Sequence, residues 1–92
     1  MKVNFYATLR SIVGQKTVEL ETKPGITARE LIELIVSHYP ALRVELLDEK
    51  NEFSRYQKFF INGREVIYMI KKMDTPIHQD DKVDIFPPVG GG

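Results

Sequence analysis

An α+β fold, with a mixed sheet of four to five strands and one main helix across one face, is what this sequence predicts. Three observations carry the prediction. Val3, Phe5 and Ala7 alternate with Asn4, Tyr6 and Thr8, the period-2 pattern of a half-buried strand. Thr27 to Glu30 has the spacing of a helix capping box and opens an apolar stripe at helical spacing. Asn62-Gly63 lies between two short apolar runs and is a strong hairpin signal, because both residue types tolerate positive φ. A chain of 92 residues is enough for one domain with one modest core. The expected division is a folded domain over 1–86 and a flexible tail over 87–92.

The elements follow in order. Lys2 to Thr8 reads as the first strand, with Val3, Phe5 and Ala7 toward a core and Tyr6 outward. Leu9 to Val13 reads as a short turn or a single helical turn, stopped by Gly14. Lys16 to Glu21 is a second strand through Val18 and Leu20, and an antiparallel hairpin with the first is the simplest pairing. Lys23-Pro24-Gly25 closes it. The helix opened by Thr27 carries Ala28, Leu31, Ile32, Ile35 and Tyr39 on one face, and Pro40 ends it by disfavouring helical geometry in the residue before. Ala41 to Leu47 adds a short second helix with Leu42, Leu46 and Leu47 inward, and Asp48 to Glu52 is a polar loop.

Gln57 to Ile61 is a strand, Asn62-Gly63 turns it, and Arg64 to Tyr68 returns. Met69 to Met73 fits neither period. Asp74-Thr75-Pro76 and Gln79 to Lys82 are turns, Val83 to Phe86 is the last strand, and Pro87-Pro88 closes it because proline donates nothing to a sheet ladder. If the first and last strands are neighbours, the tail leaves from near the middle of the sheet. That is a β-grasp arrangement, although periodicity alone does not select it over other α+β layouts.

Composition narrows the function. Lysine plus arginine equals aspartate plus glutamate at 13 each, so no global field draws the chain to nucleic acid or an anionic membrane. The absence of cysteine removes disulfides, thiolate ligands and a cysteine nucleophile. No run approaches the roughly 20 apolar residues needed to span a bilayer, and no secretory signal pattern opens the chain, so a cytoplasmic protein is expected. His38 and His78 have no metal-ligand spacing around them, and no metal site is expected. Asp80-Asp81 and the acids of 48–52 read as solvated turns. A phosphate-binding glycine loop needs a helix after it, and Gly90-Gly91-Gly92 has none, so this chain is expected to bind no cofactor itself.

The tail is the informative segment. Pro87 and Pro88 stiffen the exit from the last strand, and Gly90, Gly91 and Gly92 carry no side chains. Six residues beyond Phe86 reach at most about 20 Å, at roughly 3.3–3.6 Å per residue. A bare, narrow segment of that length fits a deep slot in another protein. An inert terminus is the plain alternative, and glycine-rich ends are often only linkers.

The residues at several places point to a known family. They are Val3-Asn4-Phe5-Tyr6-Ala7-Thr8-Leu9-Arg10, Thr27-Ala28-Arg29-Glu30-Leu31 and Phe60-Ile61-Asn62-Gly63, then Asp74-Thr75-Pro76-Ile77. Asp80 to Val89, with its Phe86-Pro87-Pro88-Val89 ending before the diglycine, is the most specific stretch. Together they resemble the MoaD/ThiS family of ubiquitin-like sulfur carriers, most of all its molybdopterin synthase small subunits, over essentially the whole chain.

The resemblance implies that Gly92 is the working residue. Its carboxylate is adenylated by a ubiquitin-activating-like enzyme of the MoeB/ThiF type, which uses ATP and Mg2+. A persulfide donor then gives a thiocarboxylate, and the sulfur passes to a pterin precursor in the large synthase subunit, MoaE. The carrier is then a co-substrate rather than a catalyst. The resemblance also implies that partners grip Gly91, Gly90, Val89, Pro88, Pro87 and Phe86, together with Tyr6, Arg10 and Val66 (or Ile67 in its place). Gly90 departs from the family, whose members more often have another small residue there. Three alternatives share the chain's features: a carrier serving tRNA thiolation or thiazole synthesis, a protein modifier joined through Gly92 to lysines, and a plain interaction domain. An inert tail gives the last of these no reason for a diglycine after a proline-stiffened exit; the first two begin with the same adenylate and stay open.

Overall fold

The computed structural model describes residues 1–88; Val89, Gly90, Gly91 and Gly92, the end of the expected tail, lie outside the described residues. The strands are β1 (Lys2–Phe5), β2 (Thr17–Glu19), β3 (Lys58–Ile61), β4 (Arg64–Glu65) and β5 (Val83–Phe86), and the helices α1 (Ala7–Val13), α2 (Ala28–His38) and α3 (Arg43–Leu46). The five strands form one sheet in the order β2-β1-β5-β3-β4. β1 runs antiparallel to β2 and parallel to β5, and β3 runs antiparallel to both β5 and β4. The first and last strands are therefore neighbours, β5 lies in the middle, and the arrangement is a β-grasp.

Alternation fixes which side chains meet the core. Val3 and Phe5 of β1, Val18 of β2, Phe59 and Ile61 of β3, and Val83 and Ile85 of β5 are all buried on one face. The same cluster takes Ala28, Leu31, Ile32, Ile35 and Val36 from α2. α2 begins with the expected capping box: Thr27 Oγ1 accepts from the Glu30 amide at 3.2 Å, and Glu30 Oε1 accepts from the Thr27 amide at 3.0 Å. A 3-10 turn at Pro40–Leu42 leads into α3, and Leu42 and Leu46 are fully buried beneath the end of α2.

Beyond the shortening of the second strand to Thr17–Glu19 and the start of β3 at Lys58, two element boundaries differ from expectation. The strand expected over Lys2–Thr8 stops at Phe5, and Ala7 turns the chain at φ 51° into α1. Leu9 enters the core completely from α1; Gly14, at φ 90°, ends the helix by donating its amide to the Arg10 carbonyl at 2.8 Å. The return strand expected over Arg64–Tyr68 keeps only Arg64–Glu65, after which Val66–Tyr68 winds into a 3-10 turn. Between β3 and β4, Asn62 (φ 52°) and Gly63 (φ 82°) both occupy the left-handed region, the geometry of a two-residue hairpin whose twist matches the strands.

Candidate functional site

The face of the sheet turned away from α2 carries a second set of side chains. Cross-strand neighbours share a face, so the register places Asn4 beside both Thr17 and Asp84, Phe60 beside Asp84, and Lys58 beside Phe86. Tyr6 follows β1 in extended geometry and serves as the cap residue of α1. Its ring stacks on Phe86 with centroids 4.1 Å apart and planes 11° apart. Phe60 meets Phe86 edge-on at 5.6 Å and 88°. All three rings are half-buried, so a small aromatic platform faces outward at the end of β5, directly before Pro87.

Polar contacts hold the platform. Tyr6 Oη donates to Asp84 Oδ1 at 2.8 Å, and Asn4 Nδ2 donates to the same oxygen at 2.9 Å. Thr17 Oγ1 donates to Asn4 Oδ1 at 2.7 Å, which extends the chain of hydrogen bonds to β2. Lys82 Nζ lies 3.8 Å from Asp84 Oδ2, and Lys16 Nζ lies 5.4 Å from the Tyr6 ring centre. Asp84 is only 5% exposed although it sits on the outer face, since the neighbouring side chains close over it. The hydrogen bond to Asp84, then burial and the carboxylate's charge, raise the Tyr6 phenol above its ordinary pKa, because losing the proton would place two negative oxygens together.

The sequence-predicted site residues divide. Tyr6 and Phe86 come together, and Pro87 (half-buried) and Pro88 (exposed) lead away from them. Val66 requires a correction: expected on the exposed sheet face, it is completely buried, because Glu65 before it lies opposite Phe60 on the outer face and alternation turns the next side chain into the core. Ile67 beside it is exposed. Arg10 is exposed on α1, and among the described residues no carboxylate lies within ion-pair distance of it. Asp84, Asn4 and Phe60 belong to the site but were not expected there. The available signal was that Asp84 alternates onto the face of Phe86 and, once β1 and β5 are paired, lies against Asn4.

Among the described residues, no set of three or more histidine, cysteine, aspartate or glutamate side chains is placed to hold a metal ion, and no helix is long and apolar enough to cross a membrane. What the arrangement offers is an apolar landing surface at the base of a stiffened backbone exit.

Comparison with known proteins places this geometry. The ThiS family profile matches residues 3–92. Small archaeal modifier protein 3 of Haloferax volcanii is 30% identical over 92 residues, covering 100% of this chain and 98% of the relative. The crystal structure of SAMP1 from Haloferax volcanii superposes with a TM-score of 0.86 at 22% identity, over 99% of this chain and 97% of that one, a likeness of fold. A structure from Pyrococcus furiosus, described as a candidate molybdopterin converting factor subunit 1, has a TM-score of 0.76 at 29% identity, over 96% and 95% of the two chains.

Proposed function

This chain belongs to the ThiS family of ubiquitin-like sulfur carriers and modifiers, and from that premise we propose that it carries sulfur on the carboxyl group of Gly92 for molybdopterin synthesis. The observation that carries the reading is the position of β5. The middle strand of the sheet ends in a half-buried aromatic platform and leads into Pro87-Pro88, whose fixed φ stiffens the exit from the sheet. The likeness to the Pyrococcus furiosus structure described as a molybdopterin converting factor subunit supports the choice of acceptor.

The chemistry follows from the poor reactivity of a carboxylate, ionised at neutral pH with a usual pKa of about 3.3–3.7. An activating enzyme of the MoeB/ThiF type, using ATP and Mg2+, joins a Gly92 oxygen to the α-phosphorus and releases pyrophosphate. A persulfide sulfur then displaces AMP from the acyl carbon, and a thiol cleaves the resulting acyl disulfide to free the thiocarboxylate. Gly90 and Gly91 keep the segment narrow enough to enter both the activating enzyme and MoaE. Tyr6, Phe86, Pro87 and Pro88 form the docking base, with Arg10 available to an acidic partner. Apart from the Gly92 carboxylate, whose oxygen attacks the α-phosphorus, no residue of this chain acts as acid, base or nucleophile in the scheme.

Intact-mass spectrometry of protein isolated from its own host tests the reading. A gain of about 16 Da, sulfur replacing one oxygen, is expected on the full chain and absent after deletion of Gly92. A second reading, a protein modifier, is favoured by the 30% identity to small archaeal modifier protein 3. It expects conjugates linked through Gly92 to lysines, and a ladder of such conjugates with no thiocarboxylate would replace the carrier reading.

A further inference from the structure

Asp84 is an unusual residue to find where it is. An acid on the outward face of a strand ordinarily projects into water, yet this one is 5% exposed and accepts two side-chain hydrogen bonds on one oxygen. A buried carboxylate is costly unless its partners compensate, so the neighbourhood of Asp84 has to be arranged around it. The effect of that arrangement falls on Tyr6. This residue lies beyond the last ladder pair of β1, so sheet pairing does not fix its ring. Three contacts do: the stack on Phe86, the 2.8 Å hydrogen bond from its hydroxyl to Asp84, and Lys16 Nζ 5.4 Å from the ring centre. Asp84 and Phe86 are two residues apart on β5, so one strand supplies both the acceptor for the hydroxyl and the surface for the ring.

We infer that Asp84 is a positioning residue for partner docking: by holding the Tyr6 hydroxyl, it keeps the Tyr6–Phe86 stack preformed as a rigid apolar platform at the base of the Gly92 segment. The hydroxyl is satisfied within the protein, so a partner meets the ring without having to desolvate a free phenol. A preset surface also spares the partner the entropy of ordering a rotamer-rich side chain, a saving that appears in binding rather than in the chemical step. The inference rests on the carrier reading above, and it adds a residue that touches neither the partner nor the reacting atoms.

The test is the steady-state kinetics of ATP-dependent adenylation by the activating enzyme of the same host, with this chain as the varied substrate. Asp84→Ala is expected to raise KM about fivefold with kcat unchanged, in line with the loss of the hydrogen bond that holds Tyr6, about 1 kcal/mol, out of the two that Asp84 accepts. Asp84→Asn, which keeps an acceptor oxygen, is expected to retain most of the wild-type KM. Tyr6→Phe keeps the ring and removes only the hydroxyl; it is expected to match Asp84→Ala, and the double variant to be no worse than either single one. An unchanged KM in Asp84→Ala, a fall in kcat instead, or additive effects in the double variant would overturn the inference. If the wild-type chain is not adenylated at all, the carrier reading fails.

The free protein supplies a readout that needs no enzyme. NMR contacts between the Tyr6 and Phe86 rings are expected to be strong in the wild type and in Asp84→Asn, and weakened by averaging in Tyr6→Phe and Asp84→Ala. Equal contacts in all four would sink the positioning role, whatever the kinetics. Tyr6→Phe also covers the case in which Asp84→Ala fails to fold.

Discussion

At the start of α2, Glu30 accepts hydrogen bonds from the Thr27 amide at 3.0 Å and from Lys23 Nζ at 2.6 Å. The Lys23 bond first, and the Thr27 amide second, hold its carboxyl below the ordinary value of 4.5. A depressed pKa in the folded state means that the ionised form is favoured there, so the stabilisation is present above the unfolded value and is lost as pH falls through the folded one. Glu30→Gln preserves a capping acceptor and removes the charge. Its urea midpoint is expected to lie below the wild type's near pH 7 and to converge with it at about pH 2; equal midpoints at both would show that the Lys23 contact carries no stability. The same scale shows how far single residues were legible. Tyr6 could be placed because alternation turns it away from Phe5, and Phe86 because its stretch resembles the family's. Asp84 could not, because an acid on a strand reads as solvated until its neighbours across the sheet are known. Val66 was misplaced because its position came from the resemblance alone, whereas the hairpin register, with Glu65 opposite Phe60, turns the next residue toward the core.

The Asn62-Gly63 hairpin is the element whose sequence and geometry agree most closely. Gly63 sits at φ 82°, and nothing lies within 4 Å of where a Cβ would be, so the demand for glycine there is one of backbone conformation alone. Gly63→Ala is therefore expected to cost about 1 kcal/mol, measured by chemical denaturation, with no change in the sheet. A neutral result would mean that the turn relaxes to another type. The α2 capping box was equally readable, since its signal lies within four residues. The β1–α1 boundary was not. Ala7 and Thr8 extend the alternation of the strand, and the positive φ at Ala7 that turns the chain into α1 has no signal in a short window, alanine being an uncommon residue there.

In the whole molecule, β5 touches both halves of the sheet. Ile85 lies opposite Phe5 on β1 and Phe59 on β3, and all three are essentially without exposure. Ile85→Ala removes the side chain at the centre of the core and is expected to cost about 3 kcal/mol, a large share of the roughly 5–15 kcal/mol that holds a small domain folded. Thermal unfolding followed by circular dichroism measures it, and a loss below about 1 kcal/mol would show that the core collapses around the gap. The class of fold was legible because its elements are local. The order of the strands was not, because the parallel pairing of β1 with β5 joins segments from opposite ends of the chain.

That pairing has a bearing on when the protein becomes usable. A nascent polypeptide whose residues 83–86 have not yet left the ribosome has a gap between β1 and β3, and its two half-sheets have nothing to join them. Closure of the sheet waits for translation of this stretch, so a product that stops short of it lacks the one strand that links the two pairs.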